Sequence, residues 1–376
     1  MRVRPHWSAR AFRVAVATAA LAMIVLASLA VYAPQALVLA RDGFPSATWT
    51  GEGRFARVQG VQQEDAPIAP DIPQAAHKRF TDSGGRALLV DRGGRVAFET
   101  YGAGISSRDR LNSFSLIKSL VGALALKAVA DGRIAHLGTP LRHILGPDVP
   151  DVTLDDALRM QTGLKVNGEP AKPVEDAGFS PFSPLAELHV YGLASILPDL
   201  RIDPGKRGQF SYQSVNTALI GAALEEVYQR PLPELLSEFI WKPAGAADAY
   251  WLLHAKVDTA TAYCCLFARP SDWLRVGRFL MNNGTPDAPF LPEELWRAFL
   301  LPDFAPEKRR AGAYGWHLRH DVLDRSGASV RGPFAYFLGH NGQVVYLLPE
   351  SDTVVVRFGR EMQLLHSTLY ELLDTD

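Results

Sequence analysis

Cysteine is nearly absent from this chain of 376 residues; the two that occur, Cys264 and Cys265, are adjacent. Adjacent cysteines rarely bridge without strain, so no structural disulfide is expected and buried thiols are the natural reading. One pair of sulfurs cannot build a zinc site alone. A dominant charge of either sign is also lacking. The 39 Lys and Arg residues against 40 Asp and Glu leave a formal net charge of −1. No broad basic field is implied, which argues against a nucleic-acid binder. No internal repeat is evident. What remains is ordinary globular composition, 47% hydrophobic and 21% charged, with room for one large domain or two moderate ones.

The N-terminus does carry a long apolar run. Arg2, Arg4, Arg10 and Arg13 precede an uncharged stretch from Val14 to Ala33, extended past Pro34 to Ala40. Such a run can span a bilayer as one helix, and its flanking arginines favour the cytoplasmic side. Residues 1–40 are therefore expected to be an uncleaved membrane anchor, with a signal peptide cut after Ala30 as the alternative. Either way the folded part lies outside the cytoplasm, on the periplasmic side. Residues 41–80 mix Gly, Pro and Gln without periodicity, and the Pro-spaced stretch from Ala66 to Pro73 reads as an extended tether.

From residue 81 the pattern becomes that of a folded domain. Ala87–Val90 and Val96–Tyr101 alternate around Asp91-Arg92-Gly93-Gly94-Arg95, which predicts a β-hairpin. Gln343–Leu348 and Thr353–Phe358 flank Pro349-Glu350-Ser351-Asp352 and predict a second, with a closing helix over 361–373. Between them, apolar helical runs alternate with Gly/Pro breaks. Val152–Gly163 opens on a Thr153/Asp156 capping pattern. Thr217–Gln229, Pro233–Trp241 and Ser271–Asn283 read as further helices, and 164–184 as a long loop. The expected class is α+β: an antiparallel sheet built from N- and C-terminal strands, flanked by helices, with a mostly helical region of roughly 136–234 inserted.

Ser115-Leu116-Ile117-Lys118 heads an apolar, Leu- and Ala-rich helical run that stops at Gly132. Ser115 falls at the helix N-terminus, where free N–H groups and the positive dipole end favour negative charge. Lys118 lies one turn on along the same face. The dipole and apolar neighbours push its pKa down, making a neutral amine accessible as a base for the serine. Two further stretches stand out. Phe210-Ser211-Tyr212-Gln213-Ser214 precedes a helix, and Tyr212 is placed to direct its hydroxyl into a cleft. Gly339-His340-Asn341-Gly342-Gln343 precedes an apolar strand. Gly342 would let the backbone approach a ligand, aiming the Gln343 N–H at a substrate oxygen.

Ser115-x-x-Lys118, Tyr212-x-Ser214 and His340-x-Gly342 resemble, in order, the three motifs of the serine β-lactamase and penicillin-binding-protein superfamily. Phe114–Ser119, Asp131-Gly132-Arg133-Ile134, Thr153–Gly163 and Ile240–Gly245 look like landmarks of its class C-like branch. His340 in place of the usual lysine, with Trp241 and Asp248–Trp251, makes the chain most similar to 6-aminohexanoate-dimer hydrolases and related esterases. The resemblance covers roughly residues 80–375. It implies a β-lactamase-like fold and a Ser115 acyl-enzyme, with Lys118 and Tyr212 moving the protons and no metal or organic cofactor. It further implies an oxyanion hole from the Ser115 and Gln343 amides, and His340, Asn341, Gly342 and Ser214 facing substrate. Tyr191, in the helical insert, is a candidate lid.

A neutral imidazole at His340 grips a carboxylate poorly, so amide or ester hydrolysis is favoured over β-lactam hydrolysis. A carboxylesterase, a D-amino-acid peptidase and a catalytically silent peptide receptor are the competing readings. No Gly-x-Ser-x-Gly elbow is present, so an α/β-hydrolase lacks its nucleophile. His317-Leu318-Arg319-His320 is expected on a strand, where i and i+3 face opposite ways, so no metal site is expected there. The expected partners are a small amide or ester and, through the N-terminal helix, a membrane.

Overall fold

The computed structural model describes residues 9–62, 69–166, 169–170, 180–305, 307, 313–320 and 333–360. Its centre is a seven-stranded sheet in the order Ala313–Tyr314, Arg319–His320, Ala335–Gly339, Gln343–Leu348, Thr353–Gly359, Gly85–Arg92, Arg95–Tyr101. Every neighbouring pair is antiparallel. The two hairpins expected from the sequence meet through Thr353–Gly359 and Gly85–Arg92, so strands from the two ends of the sequence lie side by side in the sheet. The architecture is α+β, as expected.

Strand alternation sorts the core into two layers. Ala87, Leu89, Val345, Leu347, Val354 and Val356 face the main core, beneath the Leu116–Ala130 and Pro270–Met281 helices. Leu88, Val90, Val344, Tyr346 and Val355 face the other way, onto Ile72, Ala76 and Phe80. With both faces covered, Gln343–Leu348 is buried at every position, which explains an apolar run in place of a clean polar alternation.

Residues 41–80 depart from the expected tether. Phe55–Val58 forms a strand paired with Ala249–Leu252 in a second sheet, and Gln74–Asp82 is the helix that supplies Ala76 and Phe80. Trp49 stacks on Tyr250 with ring centroids 3.9 Å apart, beneath the Arg110 guanidinium. Aromatic burial thus draws this stretch onto the domain. The insert carries helices at Pro184–Tyr191 and Ser214–Tyr228, and also a three-stranded sheet of Leu164–Val166, Glu169–Pro170 and Leu200–Ile202. The Thr153/Asp156 capping box is present in both directions, but its helix ends at Leu158 because Met160 takes φ +56°. Residues 361–373 lie outside the described part.

Ala9–Tyr32 is one helix; its most apolar 18-residue window has mean hydropathy 2.5 and is unburied, and the helix is long and apolar enough to cross a membrane. Pro34–Asp42 follows as a second helix, whose Leu39 packs on Ala186 and Val190 of the insert.

Candidate active site

The second sheet delivers the chain to Ser115. Leu111–Asn112 pairs with Leu266–Ala268. The ladder continues as Ser113 N–H donates to the Leu266 carbonyl at 2.9 Å and Cys265 N–H to the Phe114 carbonyl at 3.1 Å. Phe114 N–H donates to the Asn112 side chain at 2.8 Å. Phe114 itself sits at φ +45°, a costly position for a bulky residue, and turns the backbone sharply. Ser115 then caps the Leu116–Ala130 helix. That helix is apolar on all sides and runs through the core, so its first turn is held from every direction.

Lys118 is 3% exposed. Its Nζ donates to Ser115 Oγ at 3.0 Å and to the Tyr263 carbonyl at 2.7 Å. It also lies 5.0 Å from the Tyr212 ring centre and 5.6 Å from that of Tyr263. Tyr212 is 6% exposed. Its neighbours are held by Met160: the Met160 carbonyl accepts from Ser211 N–H at 2.8 Å, and the Met160 sulfur from Asn216 Nδ2 at 3.3 Å. The three residues singled out for chemistry therefore line one cavity of about 10 Å³, room for about one water.

The other wall of that cavity comes from the stretch around His317-Leu318-Arg319-His320, whose sequence suggests no role in hydrolysis. Tyr314, His317 and Arg319 line it together with Ser119 and Tyr336. The Arg319 guanidinium lies 5.8 Å from the Tyr212 ring centre and 5.7 Å from that of Tyr314. His317 approaches because position 122 is glycine: a Cβ there would stand 2.9 Å from His317 Cβ and 3.0 Å from the Trp316 carbonyl. The His317 ring bridges the Leu158 carbonyl through Nδ1 and Thr217 Oγ1 through Nε2, both at 2.9 Å. Burial pushes this imidazole down to about 3, and the charge of Lys118 adds to the effect against the Leu158 bond. It is a neutral prop at physiological pH. Among the described residues no group of three or more His, Cys, Asp or Glu is arranged to hold a metal ion.

The His340–Gly342 tip is placed differently from the expectation. The glycine that lets the sheet approach the serine is Gly339: a Cβ there would stand 2.4 Å from the Ser113 carbonyl and 3.4 Å from the Leu116 amide. The N–H that follows this approach belongs to His340. The Gln343 side chain ties this tip to the sheet. Buried, it donates to the His340 and Gly359 carbonyls at 2.9 and 3.0 Å and accepts from Gly359 N–H at 2.9 Å. Arg357, fully buried, bonds the Gly342 and Ser83 carbonyls at 2.8 and 2.9 Å. His340 is exposed, its ring edge-on to Phe114 at 5.5 Å, and Asn341 is half-buried at φ +61°.

Other candidates lie apart. Ser214 is buried at the start of the Ser214–Tyr228 helix, and Asn216 accepts from Thr162 Oγ1 at 2.8 Å. Tyr191 lines a separate cavity of about 330 Å³ with Gly192, His254 and Ala262. Cys264 and Cys265 correct the composition argument: they are joined in a disulfide.

A model of the family described as Beta-lactamase matches residues 74–366. The 6-aminohexanoate-dimer hydrolase of Paenarthrobacter ureafaciens is 24% identical over 303 residues, 77% of this chain and 74% of that protein. Among solved structures, a Bacillus anthracis protein that carries the 6-aminohexanoate-dimer hydrolase name provisionally superposes with a TM-score of 0.69. It is 18% identical over 85% of this chain and 89% of its own. A class C beta lactamase from Rhodobacter sphaeroides gives a TM-score of 0.55 and 17% identity over 80% and 99%.

Proposed function

The chain belongs to the beta-lactamase family and is a serine hydrolase; from that premise we propose that Ser115 is its nucleophile and that it cleaves a small amide or ester through an acyl-enzyme. The observation that carries the reading is the 3.0 Å contact of Lys118 Nζ with Ser115 Oγ inside a cavity walled by Tyr212. Lys118, in its neutral form, takes the serine proton as Oγ attacks the carbonyl carbon. Tyr212 relays that proton to the leaving group and then helps activate the hydrolytic water. Two backbone amides receive the developing oxyanion, that of Ser115 and, by the close approach at Gly339, that of His340. Each such donor is worth about 3 kcal/mol.

For the substrate, the reading is a linear ω-amino-acid dimer amide of the 6-aminohexanoate type. The name of the Paenarthrobacter relative supports it, and so does Arg319 at the cavity wall, since such dimers end in a carboxylate that a guanidinium recognises well. We place the enzyme at a membrane, held by Ala9–Tyr32 with the hydrolase on the extracytoplasmic side.

The test is a panel of p-nitrophenyl esters, linear 6-aminohexanoate dimer, D-Ala peptides and nitrocefin, run on wild type and Ser115→Ala. Dimer hydrolysis by wild type and none by Ser115→Ala is the expected result. Turnover confined to esters or to D-Ala peptides would move the substrate assignment to those classes. Equal turnover by both proteins would reject Ser115.

A further inference from the structure

Behind Ser115 and Lys118 runs Tyr263-Cys264-Cys265, which touches the proposed machinery twice. The Tyr263 carbonyl accepts from Lys118 Nζ at 2.7 Å. The Cys265 N–H donates to the carbonyl of Phe114, the residue before the nucleophile, at 3.1 Å. Between these two contacts the chain closes on itself through the Cys264–Cys265 disulfide. The two Cβ–Sγ arms and the intervening peptide form one small ring, which restricts the torsions on both sides of that peptide. Cys265 sits at φ +71°. Glycine adopts that region freely; another L-residue needs an outside constraint to stay there. The carbonyl of Cys264 is tied in turn to Trp251 Nε1 and Thr261 Oγ1, both at 3.0 Å.

We propose that the Cys264–Cys265 disulfide is a positioning element of the catalytic centre: it holds the Tyr263 carbonyl and the Cys265 amide where they seat the Lys118 amine and the turn into Ser115. This rests on the reading of Ser115 and Lys118 as nucleophile and base. Cys264 is partly exposed and Cys265 buried, so an external dithiol reaches Cys264 Sγ. Its thiolate attacks that sulfur and expels the Cys265 thiolate. The reagent's second thiolate then displaces Cys264 and closes the reagent's own disulfide. Two electrons pass to the protein, and two protons end on the cysteine thiols. Cys265 is then free to leave φ +71°, and both hydrogen bonds slacken. The position of the disulfide makes hydrolysis sensitive to thiols, and an extracytoplasmic site is where such a bond persists.

The experiment uses the full chain and its best panel substrate, oxidised and after dithiothreitol, with thiol titration confirming that both cysteines are free and near-UV circular dichroism following the fold. Reduction is expected to lower kcat roughly tenfold with KM within about twofold, and oxidised glutathione to restore it. The acidic limb of kcat/KM is expected to move to lower pH, because the Lys118 ammonium loses an acceptor. Cys264→Ser/Cys265→Ser should behave like the reduced enzyme and ignore dithiothreitol. Cys264→Ser/Cys265→Gly should recover most of kcat, since glycine takes φ +71° unaided. Equal kcat and an unmoved acidic limb in oxidised and reduced wild type would overturn the proposal. Loss of the circular dichroism signal together with activity would also overturn it, by showing a structural role only. Inactivity of the oxidised enzyme on every substrate would instead sink the Ser115 reading on which it rests.

Discussion

The two walls around Ser115 are held in opposite ways. The floor, made by the Leu116–Ala130 helix and the Tyr263–Cys265 segment, is buried and fixed by short backbone contacts at both ends of the lysine side chain. The lip, made by His340–Gly342, is held from behind, where Arg357 and Gln343 bond its carbonyls, while the exposed His340 meets Phe114 by one ring edge. A group that moves protons needs sub-ångström placement, and a group that meets varied substrates needs surface. The floor is built for chemistry and the lip for contact.

Substitutions in the floor should break this contrast most. Lys118→Met is expected to cut kcat by about 10³-fold or more, and Tyr212→Phe by about 10²-fold, with KM little changed. A KM effect alone from either would place these residues in recognition instead. At the junction of floor and lip, Gly339→Ala drives a Cβ into the Ser113 carbonyl. We expect a loss of about 10²-fold in kcat, near the value of one oxyanion donor. Wild-type turnover by Gly339→Ala would return the second donor to another amide.

The anchoring of the lip is open to a stability measurement. Arg357→Met leaves the Gly342 and Ser83 carbonyls without their buried donor. About 3 kcal/mol of stability is expected to go with it in urea unfolding. A change below about 0.5 kcal/mol would mean that the tip is held by something else. The smallest effect is expected at Tyr191, which lines a different cavity. Tyr191→Phe should leave kcat/KM within about twofold, and a larger fall would bring the helical insert over the substrate after all.

Acid should destabilise the fold through buried imidazoles. Burial lowers His317 to about 3 and His189 to about 4, from the 6.5 of an unperturbed histidine. Between pH 6.5 and 4 the unfolded chain therefore binds protons that the folded chain refuses, and stability falls as pH drops through that window. Asp272, raised by burial to about 6 from 3.8, takes its proton first in the folded state and opposes the fall between those values. His317→Gln removes one imidazole contribution, so its urea midpoint should decline less between pH 6.5 and 4.5 than that of wild type. Parallel declines would show that His317 is not held neutral.

The floor was largely legible in the sequence because its constraints are local. Ser115 and Lys118 are one helical turn apart, and an apolar run on both sides announces their burial. The two terminal hairpins were equally plain from alternation and turn residues. What escaped was set by contacts between distant segments. Gly339 makes a close approach to Ser113, and only the packing of that strand against Ser113 reveals it. His317 reaches the site because Gly122 admits it together with the Trp316 carbonyl, and Tyr314 and Arg319 line the same cavity. The one available signal was a glycine inside a strong helix, three residues beyond Ser119. The Phe55–Val58 strand was hidden in a stretch rich in Gly and Gln, since its partner lies almost two hundred residues away. The disulfide is not legible from spacing, which carries no information about the backbone conformation of Cys265 at φ +71°.

The most direct test of the account is peptide mapping by mass spectrometry after treatment with a fluorophosphonate, comparing wild type with Lys118→Met. One adduct is expected, on Ser115, formed at least about 10²-fold more slowly once the lysine amine is gone. An adduct on another residue, or equal rates of labelling in the two proteins, would contradict it.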